Sequence, residues 1–264
     1  MGLSVKAWVG LGCRQAGSGV AGIVGPLPYI ARMTEYVLVA GAWLGAWAWD
    51  DVVPELRAAG HGAHAVTLSG VADKQGVPAG QKTHVQDVVD EVERLGLRDV
   101  VLVGHSYSGI PVGQAAERIG DRLKRVVFVD SNVPADGESF VSRWWQGPAA
   151  LEAVIAANDG YWPPLTAPEC EGQGLDDAQV ARIVGGATPH PGASLSEPAV
   201  LSRPPGELPA TYIKCLLDGP EPTDDVAELL RGESWRLREM DTGHWPMFSR
   251  PGELARILLE EAGG

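Results

Sequence analysis

Short apolar runs alternating with helical patterns constrain this chain more than any other feature. Residues 36–40, 63–68, 100–103, 125–129, 211–217 and 234–239 read as strands. A helix is expected from about 47 to 59, stopped by Gly60, and another from 83 to 95, with Thr83 as its cap. In the second, Val85, Val88, Val89 and Val92 fall near one face. Further helices are expected at 109–119, where Pro111 falls in the first turn, from Thr223 or Asp224 to 231, and at 251–261. Apolar strands separated by helices are the pattern of a mostly parallel sheet covered on both faces. No internal repeat competes with that reading.

The pattern lapses between residues 131 and 209. Prolines at 189, 191, 198, 204 and 205, the pair Trp144-Trp145 and the run Tyr161-Trp162-Pro163-Pro164 predict an irregular lid inserted into an α/β domain that spans 33–264. Residues 1–32 are rich in glycine and small side chains. They read as an extension outside the core, and their apolar stretch is too short and interrupted for a secretory leader. Cys13, Cys170 and Cys215 are scattered and odd in number, so a reducing compartment, the cytoplasm, is expected. A formal net charge of -13 disfavours nucleic acid and anionic membrane surfaces as partners, and no apolar run is long enough to span a bilayer. Charge and composition leave the oligomeric state open.

The strongest chemical signal is Gly104-His105-Ser106-Tyr107-Ser108-Gly109, set between a buried strand and a helix. A nucleophile held on so tight a strand-to-helix turn needs small residues two positions away on either side, which Gly104 and Ser108 supply. His244, in Asp241-Thr242-Gly243-His244-Trp245, follows the last strand and can reach back over the sheet edge as the base. Asp218 and Asp130 each follow a strand, and either can host the acid. Asp218 is preferred, leaving Asp130 to fix the lid hinge. The oxyanion donors are expected to be the backbone N–H groups of Ala42, in the loop after the first strand, and Tyr107. Trp43, Trp144, Trp145, Trp162 and Trp245 are candidates to line an apolar substrate pocket. His61, His64 and His84 read as satisfied or exposed, His105 as packing beneath the elbow, and His190 as a lid residue. No Walker string, dinucleotide fingerprint or H-E-x-x-H motif occurs, so neither a cofactor nor a metal is expected.

The runs at 37–43, 101–106 and 212–218, together with Gly243-His244, resemble the α/β-hydrolase superfamily, nearest the branch of methylesterases, hydroxynitrile lyases and their bacterial relatives. The resemblance covers about 34–262, and its loosest part is the lid. It implies an α/β-hydrolase fold, and the spacing around Asp218 matches the branch's acid. Ala40-Gly41 departs from the branch's usual His-Gly, whose histidine supports the oxyanion loop. Lyase members tend to carry Thr and Lys where this chain has Gly41 and Trp245, which leans toward ester chemistry.

Taken together, the expected activity is cleavage of a small or medium carboxylic ester, with a methyl ester among the candidates, through an acyl-enzyme on Ser106, His244 and Asp218. Acyl transfer at the same site and a lyase-like or non-catalytic binding role are the alternatives. The expected partner is a small-molecule ester or acyl substrate.

Overall fold

The computed structural model describes residues 33–263, and the expected extension at 1–32 lies outside them. The strands are β1 (Glu35–Val39), β2 (Gly62–Val66), β3 (Val100–His105), β4 (Leu123–Val129), β5 (Tyr161–Trp162), β6 (His190–Pro191), β7 (Ala210–Cys215) and β8 (Trp235–Met240). Six of them form one sheet in the order β2-β1-β3-β4-β7-β8, with every neighbouring pair parallel. β5 and β6 make a separate antiparallel pair. The helices are α1 (Val53–Ala58), α2 (Gln81–Arg94), α3 (Gly109–Ile119), α4 (Pro148–Ala157), α5 (Asp177–Gly186), α6 (Gly192–Ser196), α7 (Asp224–Leu229), α8 (Pro246–Ser249) and α9 (Pro251–Ala262).

Period-2 geometry sends successive strand residues to opposite faces. Val37, Val39, Val100 and Leu102 pack on one side with Val85, Val88, Val89 and Val92 of α2 and Ile110 of α3. Tyr36, Leu38, Val101 and Val103 pack on the other with Leu56 of α1 and Leu254 and Leu258 of α9. Both faces are therefore dry, which is why the strands read as unbroken apolar runs. This is the α/β-hydrolase fold.

Two local expectations are corrected. The single helix over 47–59 is instead a 3-10 turn, Ala46–Trp49, followed by α1. Pro54 explains the break, because proline has no N–H to give and fits only the first turn of a helix. Thr83 does not begin α2. It sits three residues inside, and its hydroxyl oxygen accepts the Gly80 N–H at 3.3 Å, while the Glu197 carboxylate accepts the Gln81 N–H at 2.7 Å. A negative charge at this helix start is favourable.

The strand order reverses direction between β1 and β3. In parallel sheets the crevice at such a switch point, beyond the carboxyl ends of the strands, is where ligands bind. Val39 pairs with Gly104, so the loops leaving β1 and β3 lie side by side there. The insertion between β4 and β7 carries α4, α5, α6 and the β5/β6 pair.

Candidate active site

Five strand ends deliver the site: Ala42 after β1, Ser106 after β3, Asp130 after β4, Asp218 after β7 and His244 after β8. Ser106 has φ 55, a left-handed conformation that side chains other than glycine enter only when the surroundings hold them there. The surroundings are tight. A Cβ on Gly41 would lie 2.7 Å from Ser106 Cβ, and one on Gly104 would lie 2.9 Å from the Ser108 carbonyl oxygen. Only glycine allows these backbones to approach so closely. Ser108, where the elbow motif usually has glycine, is fully buried, and its hydroxyl donates to the Ala40 carbonyl oxygen. The second small residue thus ties the elbow to the end of β1.

Ser106 Oγ stands 2.9 Å from His244 Nε2. On the far side of the ring, Nδ1 lies 2.7 Å from Asp130 Oδ2 and 3.2 Å from Asp218 Oδ2. With two carboxylates at Nδ1, that nitrogen keeps the proton in the neutral ring, and the neutral form leaves Nε2 free to accept from the serine hydroxyl. Burial lowers the His244 pKa, but the hydrogen bonds and charges of Asp130 and Asp218 outweigh it and raise it to about 9. Burial raises the Asp218 carboxyl, but hydrogen bonds from His244 and Gln173 outweigh that and hold it well below the usual carboxylate range.

Asp130 is therefore more than a hinge residue. Its Oδ1 accepts from the buried Lys214 ammonium at 3.0 Å and from the Cys215 N–H at 3.3 Å, so the carboxylate is locked in place beside the imidazole. Asp218, at a more exposed position, is held by Gln173 Nε2 at 2.8 Å, and Gln173 Oε1 also accepts the His244 N–H. Gln173 lies in the irregular insertion, where no sequence signal marks it. Asp130, Asp218 and His244 bring three ligand-type atoms within 4.8 Å of one another. Lys214 already supplies the cation at Asp130, so the cluster reads as a histidine-orienting set and not as a metal site.

The loop that follows Ala40 is held by His105. His105, fully buried, accepts the Gly41 N–H on Nδ1 at 3.2 Å and donates its Nε2–H to the His244 carbonyl oxygen at 2.7 Å. Burial, with the neighbouring His244, pushes its pKa well down, so the ring stays neutral and keeps that acceptor. The imidazole before Ser106 thus ties the loop after β1 to the loop after β8. Ala42 is buried in the cavity wall beside Ser106, and among the described residues its N–H meets no acceptor. Tyr107 follows Ser106 in the first turn of the helical segment, where helix N–H groups have no partner within the helix.

A cavity of about 420 Å³ opens onto Ser106 and His244. Trp43, Trp144, Trp145, Trp162 and Trp245 all line it, with Phe140 and Leu165. Trp162 lies on Trp43 with ring centres 4.1 Å apart and meets Trp144 edge-on at 5.3 Å. Trp145 forms the rim and is 78% exposed. A larger open hollow of about 870 Å³ runs along Val133–Asp136 and Leu201–Pro205, but it contains neither Ser106 nor His244.

Residues 36–257 match the model of the alpha/beta hydrolase family. The chain belongs to that family. It is a hydrolase related to the methylesterases. A carbendazim hydrolyzing esterase of Nocardioides sp. (strain SG-4G) is 30% identical over 242 residues, covering 86% of this chain and 98% of that protein. Methylesterase 9 of Arabidopsis thaliana is 27% identical over 256 residues, covering 87% of this chain and 98% of its own. Among solved structures, an extracellular α/β-hydrolase from a Paenibacillus species superimposes with a TM-score of 0.76 at 23% identity, over 86% of this chain and 98% of that one. At that identity the likeness speaks for the fold. No helix among the described residues is long and apolar enough to cross a membrane.

Proposed function

We propose that the protein hydrolyses a small or medium carboxylic ester through an acyl-enzyme on Ser106. The observation that carries this reading is the 2.9 Å contact between Ser106 Oγ and His244 Nε2, with two carboxylates behind the ring. Ser106 Oγ attacks the ester carbonyl carbon as His244 Nε2 takes the hydroxyl proton. The carbonyl oxygen becomes an oxyanion, and the N–H groups of Ala42 and Tyr107 receive it; one such donor typically counts for about 100- to 1000-fold in rate. Collapse breaks the bond to the alcohol oxygen, which leaves with the proton from Nε2. Water then attacks the acyl carbon, giving a proton to the same nitrogen, and the acid departs as Ser106 is reprotonated.

The tryptophan-lined cavity favours a flat, apolar acyl group, and its volume lies within the range of small-molecule sites, about 300–1000 Å³. The similarity to methylesterases and to an esterase that hydrolyses carbendazim supports a methyl ester as the substrate class. Trp245 beside His244 is an uncharged wall, with ring centres 5.1 Å apart, which supports ester cleavage over the lyase reading.

Treatment with a fluorophosphonate followed by peptide mass spectrometry tests the assignment. The adduct should fall on Ser106 and vanish in His244→Ala. Methyl-ester turnover that survives Ser106→Ala in the folded protein would overturn the reading.

A further inference from the structure

Ala42 offers its N–H to substrate only if its own peptide and those beside it hold still. The two flanking N–H groups are both taken by buried imidazoles. His105 accepts from Gly41, as described above. On the other side His190 Nδ1 accepts the Trp43 N–H at 3.3 Å. His190 belongs to β6, in the insertion, 147 residues along the chain from Trp43.

The grip on Trp43 is threefold. Its N–H goes to His190, its carbonyl oxygen accepts the Thr188 N–H at 3.0 Å, and its ring lies against Trp162 of β5, the strand paired with β6. Trp43 needs such holding, because its φ of 68 is left-handed and costs a tryptophan free energy wherever nothing compensates.

The His190 tautomer is fixed by its partners. Nε2 lies 3.0 Å from Ser194 Oγ, and that hydroxyl donates onward to the Pro191 carbonyl oxygen at 2.7 Å. The serine oxygen must then accept, so Nε2 carries the proton and Nδ1 stays an acceptor. The ring is 1% exposed and packs on Tyr107, the residue after the nucleophile, with centres 4.7 Å apart. Burial first, and the neighbouring His84 second, keep it neutral.

We infer that His190 is a positioning residue for the oxyanion hole: its imidazole accepts the Trp43 N–H, fixes the left-handed Trp43 peptide, and thereby aims the Ala42 N–H at the substrate oxygen. The insertion is then part of the catalytic framework as well as the wall of the pocket. The inference rests on the reading of Ala42 as an oxyanion donor.

The experiment compares His190→Leu, which removes the acceptor at similar bulk, with His190→Asn, whose amide oxygen can take the place of Nδ1. Steady-state constants are measured per active site titrated with fluorophosphonate, together with the inhibition constant of a trifluoromethyl ketone that forms a tetrahedral adduct on Ser106. His190→Leu should lower kcat at least about tenfold with KM within about twofold, and weaken the ketone by a similar factor, because the oxyanion contact is made after substrate binds. His190→Asn should recover most of the loss. A purely structural role would lower the melting temperature of both variants and leave kcat per titrated site unchanged. That result would overturn the inference. Should His190→Leu fail to fold, Ser194→Ala keeps the imidazole but frees its Nε2–H, and a smaller loss of kcat at constant KM is expected. An unchanged kcat there would count against the inference equally. The wild-type protein separates the two levels of the argument. If it takes no adduct on Ser106, the serine-hydrolase reading itself has failed. If it labels normally and the His190 variants match it in kcat, only the positioning role has failed.

Discussion

Replacing Asp130 and Asp218 by Asn, singly and together, measures how two carboxylates share one imidazole. Their nearest oxygens stand 2.7 and 3.2 Å from His244 Nδ1. At an effective dielectric of about 20, Coulomb attractions at those separations differ by only about 1 kcal/mol, less than a tenfold effect. Removing the only acid of a triad costs about 10⁴ in kcat, or about 5 kcal/mol. With one carboxylate left behind the ring, each single substitution should therefore cost about 10- to 100-fold, and the double substitution about 10⁴-fold. Asp130→Asn carries a complication, because it strands the Lys214 ammonium, which is 5% exposed. Breaking a buried pair from one side destabilises by about 3–5 kcal/mol. The kinetic comparison thus uses Asp130→Asn/Lys214→Met beside Lys214→Met alone, with the melting temperature followed in parallel. The pH profile is the second readout. His244 is raised to about 9 by the two carboxylates, so the acid limb of kcat/KM should lie on the alkaline side of neutrality and move down by about one to two units when either is lost. A loss of 10⁴ in Asp218→Asn alone, with an unmoved limb in Asp130→Asn/Lys214→Met, would refute the shared role and leave Asp218 as the sole acid.

Burial lowers the pKa values of His84, His105 and His190 below the unfolded value of 6.5, so each is neutral in the native protein and takes up a proton on unfolding in acid. The contribution of these three histidines should be full above pH 6.5 and fall as pH drops below it, by up to about 1.4 kcal/mol per pH unit for each; a urea midpoint constant from pH 7 to 5 would contradict this. His244 runs the other way, and its contribution, present below pH 6.5, should fade as pH rises toward about 9. Trp144 meets Phe140, Trp145 and Trp162 in the cavity wall. Trp144→Ala should raise KM for aromatic methyl esters by about tenfold while sparing an acetyl ester, since an aromatic pair adds about 0.5–1.5 kcal/mol beyond the area it buries; equal effects on both esters would remove Trp144 from substrate recognition.

The sheet was legible because its signal is local and repeated. Residues such as Val101, Leu102 and Val103 are apolar on both faces, so their run survives any choice of register, and the strands fall within about two residues of where the sequence places them. Ser106 was legible for a related reason, since the turn needs Gly104 before it and a small residue after it. The acid was less so. Asp130 and Asp218 each end a strand, and no spacing rule distinguishes 2.7 Å from 3.2 Å. The helix expected over 47–59 is interrupted because Pro54 fits the first turn of α1 but not the interior of a longer helix.

The parts of the site that stayed hidden share one property. They are contacts in which a residue's role is set by a partner far along the chain. His105 reads as packing beneath the elbow, yet its Nδ1 accepts the Gly41 N–H of the loop after β1. His190 read as a lid histidine among prolines, yet it holds the Trp43 N–H across 147 residues. On the proposed reading Ala42 is the oxyanion donor, because the Gly41 and Trp43 N–H groups on either side of it are both engaged. Such a donor cannot be read from the residues around it alone. The loop after β1 can be located from sequence, but the N–H it leaves unclaimed follows from two neutral imidazoles delivered by β3 and by the insertion. On the proposed role of His190, a change in the insertion should alter turnover without touching Ser106, His244 or either carboxylate.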